Sequence, residues 1–128
     1  MGNAFFDLPN DYQMASTSIK HTKDYVSINI TNKKNTISIL EYKDDNLEKY
    51  FQNYYNKKIN ISDSLEITNL TINNITVRRS IDTLDNNFIH YWFINNGKVY
   101  EIYTWNADED FDKNVEFMIN SMSFSIFN

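Results

Sequence analysis

The sequence predicts an α+β fold in which an antiparallel β-sheet is flanked by two helices. Three observations carry this. Strand-like alternation runs through Tyr25–Ile30 and Ile75–Ile81. Two stripes at helical spacing stand elsewhere, Leu47, Tyr50, Phe51 and Tyr54 in one, Phe111, Val115, Met118, Ile119 and Met122 in the other. Between the apolar runs Phe88–Ile94 and Val99–Trp105 lies Asn96-Gly97, the pair best suited to a two-residue hairpin because both residues tolerate positive φ. Each helix must bury its stripe on the sheet, and helices on opposite faces make an α/β/α sandwich.

The elements follow in order. The chain opens Phe5-Phe6-Asp7-Leu8 as a short strand, turns at Pro9-Asn10-Asp11 and continues as a second strand to about Ile19. In Tyr25–Ile30, Val26, Ile28 and Ile30 share one face, and Ser27 and Asn29 the other. The polar turn Asn32–Asn35 joins this strand to Thr36–Tyr42 as a hairpin. A helix from about Asp45 to Asn56 comes next, with Asp45 and Glu48 at capping-box spacing. Ile61–Asn69 reads as a connection and a short strand, and Ile75–Ile81 as a longer one with Arg79 on its apolar face. After a turn at Asp85-Asn86-Asn87, the runs Phe88–Ile94 and Val99–Trp105 are apolar on both faces, which places them mid-sheet. The last helix is expected to start with Asn106 and Glu109 in a second capping box, with Asp108, Asp110 and Asp112 at its positive end.

Composition limits the function classes. A length of 128 residues fits one domain, 1–128, without linkers, since Pro occurs 1 time and Gly 2 times. The net charge of −5 lacks the surplus of cations that nucleic-acid binding requires, so no nucleic-acid partner is expected. With no cysteine there are no disulfides, thiol nucleophiles or thiolate metal sites. No run of 18 apolar residues exists, so no transmembrane helix is expected. The opening residues lack a signal-peptide pattern. As written they suggest the cytoplasm, and removal of a leader would make the location extracytoplasmic. The 20 asparagines reflect codon bias of an AT-rich genome, which also generates sequons at Asn29, Asn60, Asn69 and Asn74.

The stretches 5–12 and 91–102, the second leading into Asp110-Phe111 and the last helix, resemble those of a known superfamily, that of the photosystem II extrinsic subunit PsbP and the Ran-binding nuclear import factor. One is the opening Phe5-Phe6-Asp7-Leu8-Pro9-Asn10-Asp11-Tyr12, similar to the family's apolar-x-Leu-Pro-x-x-Tyr start. The other is Tyr91–Ile102, a hairpin with Asn96-Gly97-Lys98 at its turn, followed by Asp110-Phe111 and a helix ending near Ser121–Phe124. The resemblance implies a sandwich of the PsbP-like type and a binding or assembly role, the members engaging other macromolecules without shared catalytic residues.

Catalytic and metal motifs are missing from the residues themselves. His90 sits in a central apolar run and reads as a packed, hydrogen-bonded histidine, and His21 lies in a polar loop. The acids at 108, 110 and 112 fail as a calcium loop, since Lys113 and Ile119 occupy its glycine and glutamate positions. No glycine-rich phosphate loop or nucleophile elbow is possible with Gly2 and Gly97 alone. The expectation is a non-enzyme with no cofactor and no bound metal. Arg78-Arg79 is the one arginine doublet. The aromatic fraction of 16% exceeds what a small core easily hides, and it admits two readings, core packing or a partly exposed aromatic patch or cleft between the sheet and a helix. Trp105 and Tyr103, with Trp92, Tyr54 and Arg78, are the candidate residues of that patch. The expected ligand is a protein partner, with a small apolar molecule or lipid as the alternative.

Overall fold

The computed structural model describes residues 3–15, 19–59, 65–84 and 87–125. Among the described residues ten strands and two helices follow in the order β1 (Ala4–Phe5), β2 (Gln13–Met14), β3 (Lys20–His21), β4 (Tyr25–Thr31), β5 (Thr36–Tyr42), α1 (Leu47–Ile59), β6 (Leu65–Ile72), β7 (Ile75–Asp82), β8 (Phe88–Asn95), β9 (Lys98–Thr104), α2 (Phe111–Ser121) and β10 (Ser123–Phe124). The main sheet runs β2-β4-β5-β9-β8-β7-β6, with β3 also on β4. Every pairing in it is antiparallel. A small ribbon pairs β1 with β10. No helix among the described residues is long and apolar enough to cross a membrane.

The helices take opposite faces. Adjacent strand residues point to opposite sides. Tyr91 meets Phe111 of α2 at 6.0 Å between ring centroids, whereas Trp92 meets Phe51 of α1 edge-on at 5.8 Å. The α2 face holds the larger core, in which Ile28, Ile30, Ile37, Ile39, Phe93 and Ile102 pack with Val115, Met118 and Ile119. The α1 face holds a smaller one of Tyr50, Phe51, Trp92 and Val99, edged by Tyr42, Leu47, Tyr54 and Tyr55. The architecture is thus an α+β sheet flanked by helices, as the sequence predicts.

Several local expectations are revised. The chain before α1 adds the two-residue strand β3, and residues 16–18 of the expected second strand lie outside the described residues. Asn46, not Asp45, caps α1: its Oδ1 accepts from Lys49 N at 3.3 Å, and Glu48 turns to Arg78 instead. At α2 the Asn106–Glu109 box does not form. Asp110 is the N-cap without a side-chain bond, and Asp108 Oδ1 accepts from the Asp110 backbone at 3.0 Å. β6 extends three residues beyond Asn69 because Asn73 and Asn74 both take positive φ, 51° and 62°, and close a two-residue hairpin. The Asn96-Gly97 hairpin has the expected φ values of 52° and 76°. In the expected turn at 85–87, Asp85 and Asn86 lie outside the described residues.

Candidate functional site

The strand register arranges the α1 face in cross-sheet rows. One row runs Asn29, Ser38, Tyr103, His90, Ser80, and the next Ser27, Leu40, Glu101, Trp92, Arg78. α1 lies over the β8 part of these rows. The backbone bond from Val99 N to Asp44 O, 2.9 Å, ties its lead-in to β9. Much of the β4–β5 half of the face stays open, and there Ser27, Asn29 and Ser38 stand with Tyr25 and Leu40.

Two clefts open on that uncovered side. The larger, about 520 Å³, is lined by Lys20, Tyr25, Asn29, Lys34 and Ser38 together with Leu40, Tyr103 and Trp105. The smaller, about 370 Å³, lies against α1 and is lined by Tyr54, Lys57, Lys58, Phe88, His90 and Glu101, again with Leu40, Tyr103 and Trp105. The three shared residues make the two clefts one continuous groove. Trp105 stands at the junction with 66% of its surface exposed, its ring 6.1 Å from that of Phe88.

The floor of the smaller cleft is a buried polar chain. Glu101 Oε1 accepts from the Tyr42 hydroxyl at 2.9 Å, and Oε2 lies 2.7 Å from His90 Nδ1. Burial holds His90 below the ordinary histidine range, outweighing the opposing pull of Glu101. The ring is therefore neutral near pH 7, with Nδ1–H donating to the carboxylate and Nε2 left as an acceptor. Burial, then the Glu101 charge, pushes the Tyr42 hydroxyl far up, which keeps it a donor. Next to it Tyr50, stacked on Tyr42 at 3.9 Å, is pushed up to about 12 by burial and by its bond to Asp44. Rings enclose the imidazole. Tyr54 lies at 4.1 Å, Tyr103 at 4.7 Å and nearly parallel, Phe88 at 4.7 Å. Nε2 of His90 is buried without a hydrogen-bond partner among the described residues, as are Ser80 Oγ and Trp92 Nε1. At the rim, Lys58 Nζ lies 3.8 Å from Asp82 Oδ2 and 4.4 Å from the Phe88 ring centroid.

No protein-family model matches this chain, and no curated protein is similar to it.

Of the five residues singled out from sequence, Trp105, Tyr103 and Tyr54 meet in this groove. Trp92 does not line it: it is 1% exposed beneath α1. Arg78 lies on the β7 side of α1, outside both clefts, bonded to Glu48 at 2.5 Å and 4.5 Å from the Phe51 ring. Its neighbour Arg79 projects to the other face and binds Asp112 at 3.0 Å. Sequence reasoning did not single out Glu101, Leu40, Phe88 or the lysines. For Glu101 a signal was present, a lone carboxylate between Tyr100 and Ile102 in a strand apolar on both faces. Such a group requires buried partners. For the lysines no sequence signal separates Lys20 and Lys34 from other turn residues.

Proposed function

We propose that this chain is a non-catalytic binding module of the PsbP-like type that engages a protein partner through the aromatic groove beside α1. The exposure of Trp105 at the junction of the two clefts is the observation that carries the reading. Tryptophan and tyrosine are the side chains that interface centres favour, because they bury large rings at low entropic cost. Leaving so large a ring in water costs stability that a partner recovers on covering it. A catalytic role for the His90–Glu101 pair draws no support from its burial in the floor of the smaller cleft, where rings pack on the imidazole. The volume and ring-rich lining of the smaller cleft also suit the second reading, a carrier of a small apolar ligand or lipid.

The test is capture of partners by the immobilised chain, run beside Trp105→Ala and Phe117→Ala. Phe117 is an equally apolar, exposed residue on α2, away from the groove. Loss with Trp105→Ala alone supports the reading. A partner set unchanged by Trp105→Ala, or lost only with Phe117→Ala, refutes it. Trp92 is fully buried, so Trp105 dominates any change in fluorescence on binding.

A further inference from the structure

We infer that the groove is built for an extended peptide that carries an acidic residue about six positions from a large apolar anchor. This rests on the partner-binding reading above and specifies the chemistry of the partner segment. The two clefts differ in character. The larger has lysines, Lys20 and Lys34, as its charged lining residues, both exposed, and no carboxylate lines it. It also presents Ser27, Asn29, Asn35, Thr36 and Ser38, side chains able to bond a peptide backbone. The smaller cleft is walled by Leu40, Tyr54, Phe88, Tyr103 and Trp105, over the buried His90–Glu101 pair and with Lys57 and Lys58 at its α1 edge, a receptacle for one apolar side chain.

The distance from Lys20 to the smaller cleft sets this spacing, Lys34 in the turn before β5 standing nearer to that cleft. Lys20 is on β3, paired with Ser27 of β4, and Phe88 and His90 are on β8. The path β3-β4-β5-β9-β8 is four strand steps, about 19 Å at the usual inter-strand spacing of about 4.8 Å. An extended chain advances about 3.3 Å per residue, so about six residues bridge it. A compact amphipathic molecule filling the smaller cleft does not also reach Lys20.

A continuous polyanion fits less well. Asn35 at the groove's edge donates to Asp108 at 2.8 Å, which draws the acid-rich start of α2 to that rim. At the other end Lys58 is already paired with Asp82, and Glu101 lies in the floor. A strand with one phosphate per nucleotide meets these carboxylates along its length, whereas a peptide with one or two acids at the lysine end avoids them.

The experiment is selection of a random dodecapeptide display library on the full-length chain, with Trp105→Ala as the counter-target. Enriched peptides are expected to hold Asp or Glu five to seven positions from Phe, Trp, Leu or Ile. A synthetic consensus peptide should lose about tenfold in affinity to Lys20→Glu/Lys34→Glu and weaken steadily with salt. Enriched peptides that are neutral or basic, affinity indifferent to the lysine reversal, or displacement of the consensus peptide by equimolar oligothymidylate or oleate would overturn the inference. A failed selection overturns it too. The partner-binding reading then survives if Trp105→Ala still abolishes capture of a natural partner, and falls with it if capture is unaffected.

Discussion

Glu101 is the most informative single position for stability. Its two oxygens serve Tyr42 and His90, and both Glu101 and His90 are buried. Glu101→Leu removes both acceptors at once. Tyr42 is half-buried, so its hydroxyl can turn to water, but the His90 Nδ1–H is left in an apolar cage. Leaving a buried neutral donor without its acceptor costs about 1–3 kcal/mol, and relief of burying the carboxylate offsets part of it. The expected net loss is about 2 kcal/mol, or roughly an 8 °C drop in Tm for a domain of this size. Glu101→Leu/His90→Phe replaces the pair by apolar groups among Tyr54, Phe88 and Tyr103, and should return to within about 1 kcal/mol of the wild type. Urea denaturation followed by near-UV circular dichroism measures all three variants, with His90→Phe as the other single. If the double variant is as unstable as the two singles added together, the side chains do not act as a pair and the argument is wrong.

The remaining expectations follow from the same contacts. Because burial lowers the His90 pKa, the unfolded chain takes up a proton that the folded chain refuses. Stability should therefore fall as pH drops below about 6.5, by at most ~1.4 kcal/mol per unit, until the lowered folded pKa is reached. His90→Phe should remove that part of the slope between pH 7.5 and 5.5, read as urea midpoints, and an identical slope in the variant would count against it. Asn46→Ala should cost ~1 kcal/mol by unfolding midpoint and Asp45→Ala a few tenths or less, since only Asn46 caps α1. Trp92→Ala should cost about 3–5 kcal/mol, but Trp105→Ala should stay within about 0.5 kcal/mol of the wild type. Equal losses would contradict their placement below and beside α1.

Sequence periodicity carried the fold well because each period reports one burial pattern. Ile28 and Ile30 alternate with Ser27 and Asn29, and the structure buries the first pair under α2 while the second pair faces the open half of the other side. The stripe Leu47, Tyr50, Phe51, Tyr54 fixed which side of α1 meets the sheet. Capping was legible only as a neighbourhood. Asp44, Asp45 and Asn46 are all competent caps, and the choice fell to the residue whose oxygen reaches Lys49 N once Asp44 O is bound to Val99. The hairpin at Asn73-Asn74 carried a signal as clear as Asn96-Gly97, two asparagines between isoleucines, hidden by the abundance of asparagine throughout the chain. The groove was half legible. Aromatic excess pointed to Trp105, Tyr103 and Tyr54. Which rings are covered depends on where α1 lies across the strands, and that placement is a tertiary property, so Trp92 could not be told from Trp105.

The groove itself follows from unequal cover on the two faces. Six strand steps make the main sheet about 29 Å wide. A helix about 10 Å across shields two or three strands of it. On the α2 side, the ribbon β1–β10 and the opening segment add to the helix, with Ala4, Phe6, Tyr12 and Phe124 all in or against that core. On the α1 side nothing among the described residues adds to the helix, so β4 and β5 present serine and asparagine to solvent. Trp105 and the half-buried Tyr103 break that local rule. They place apolar surface where neighbouring positions have adapted to water, and packing against α1 does not account for the 66% of Trp105 left exposed. A departure of this kind, confined to the seam between the covered and uncovered halves of one face, is what a docking site requires and a purely structural surface does not.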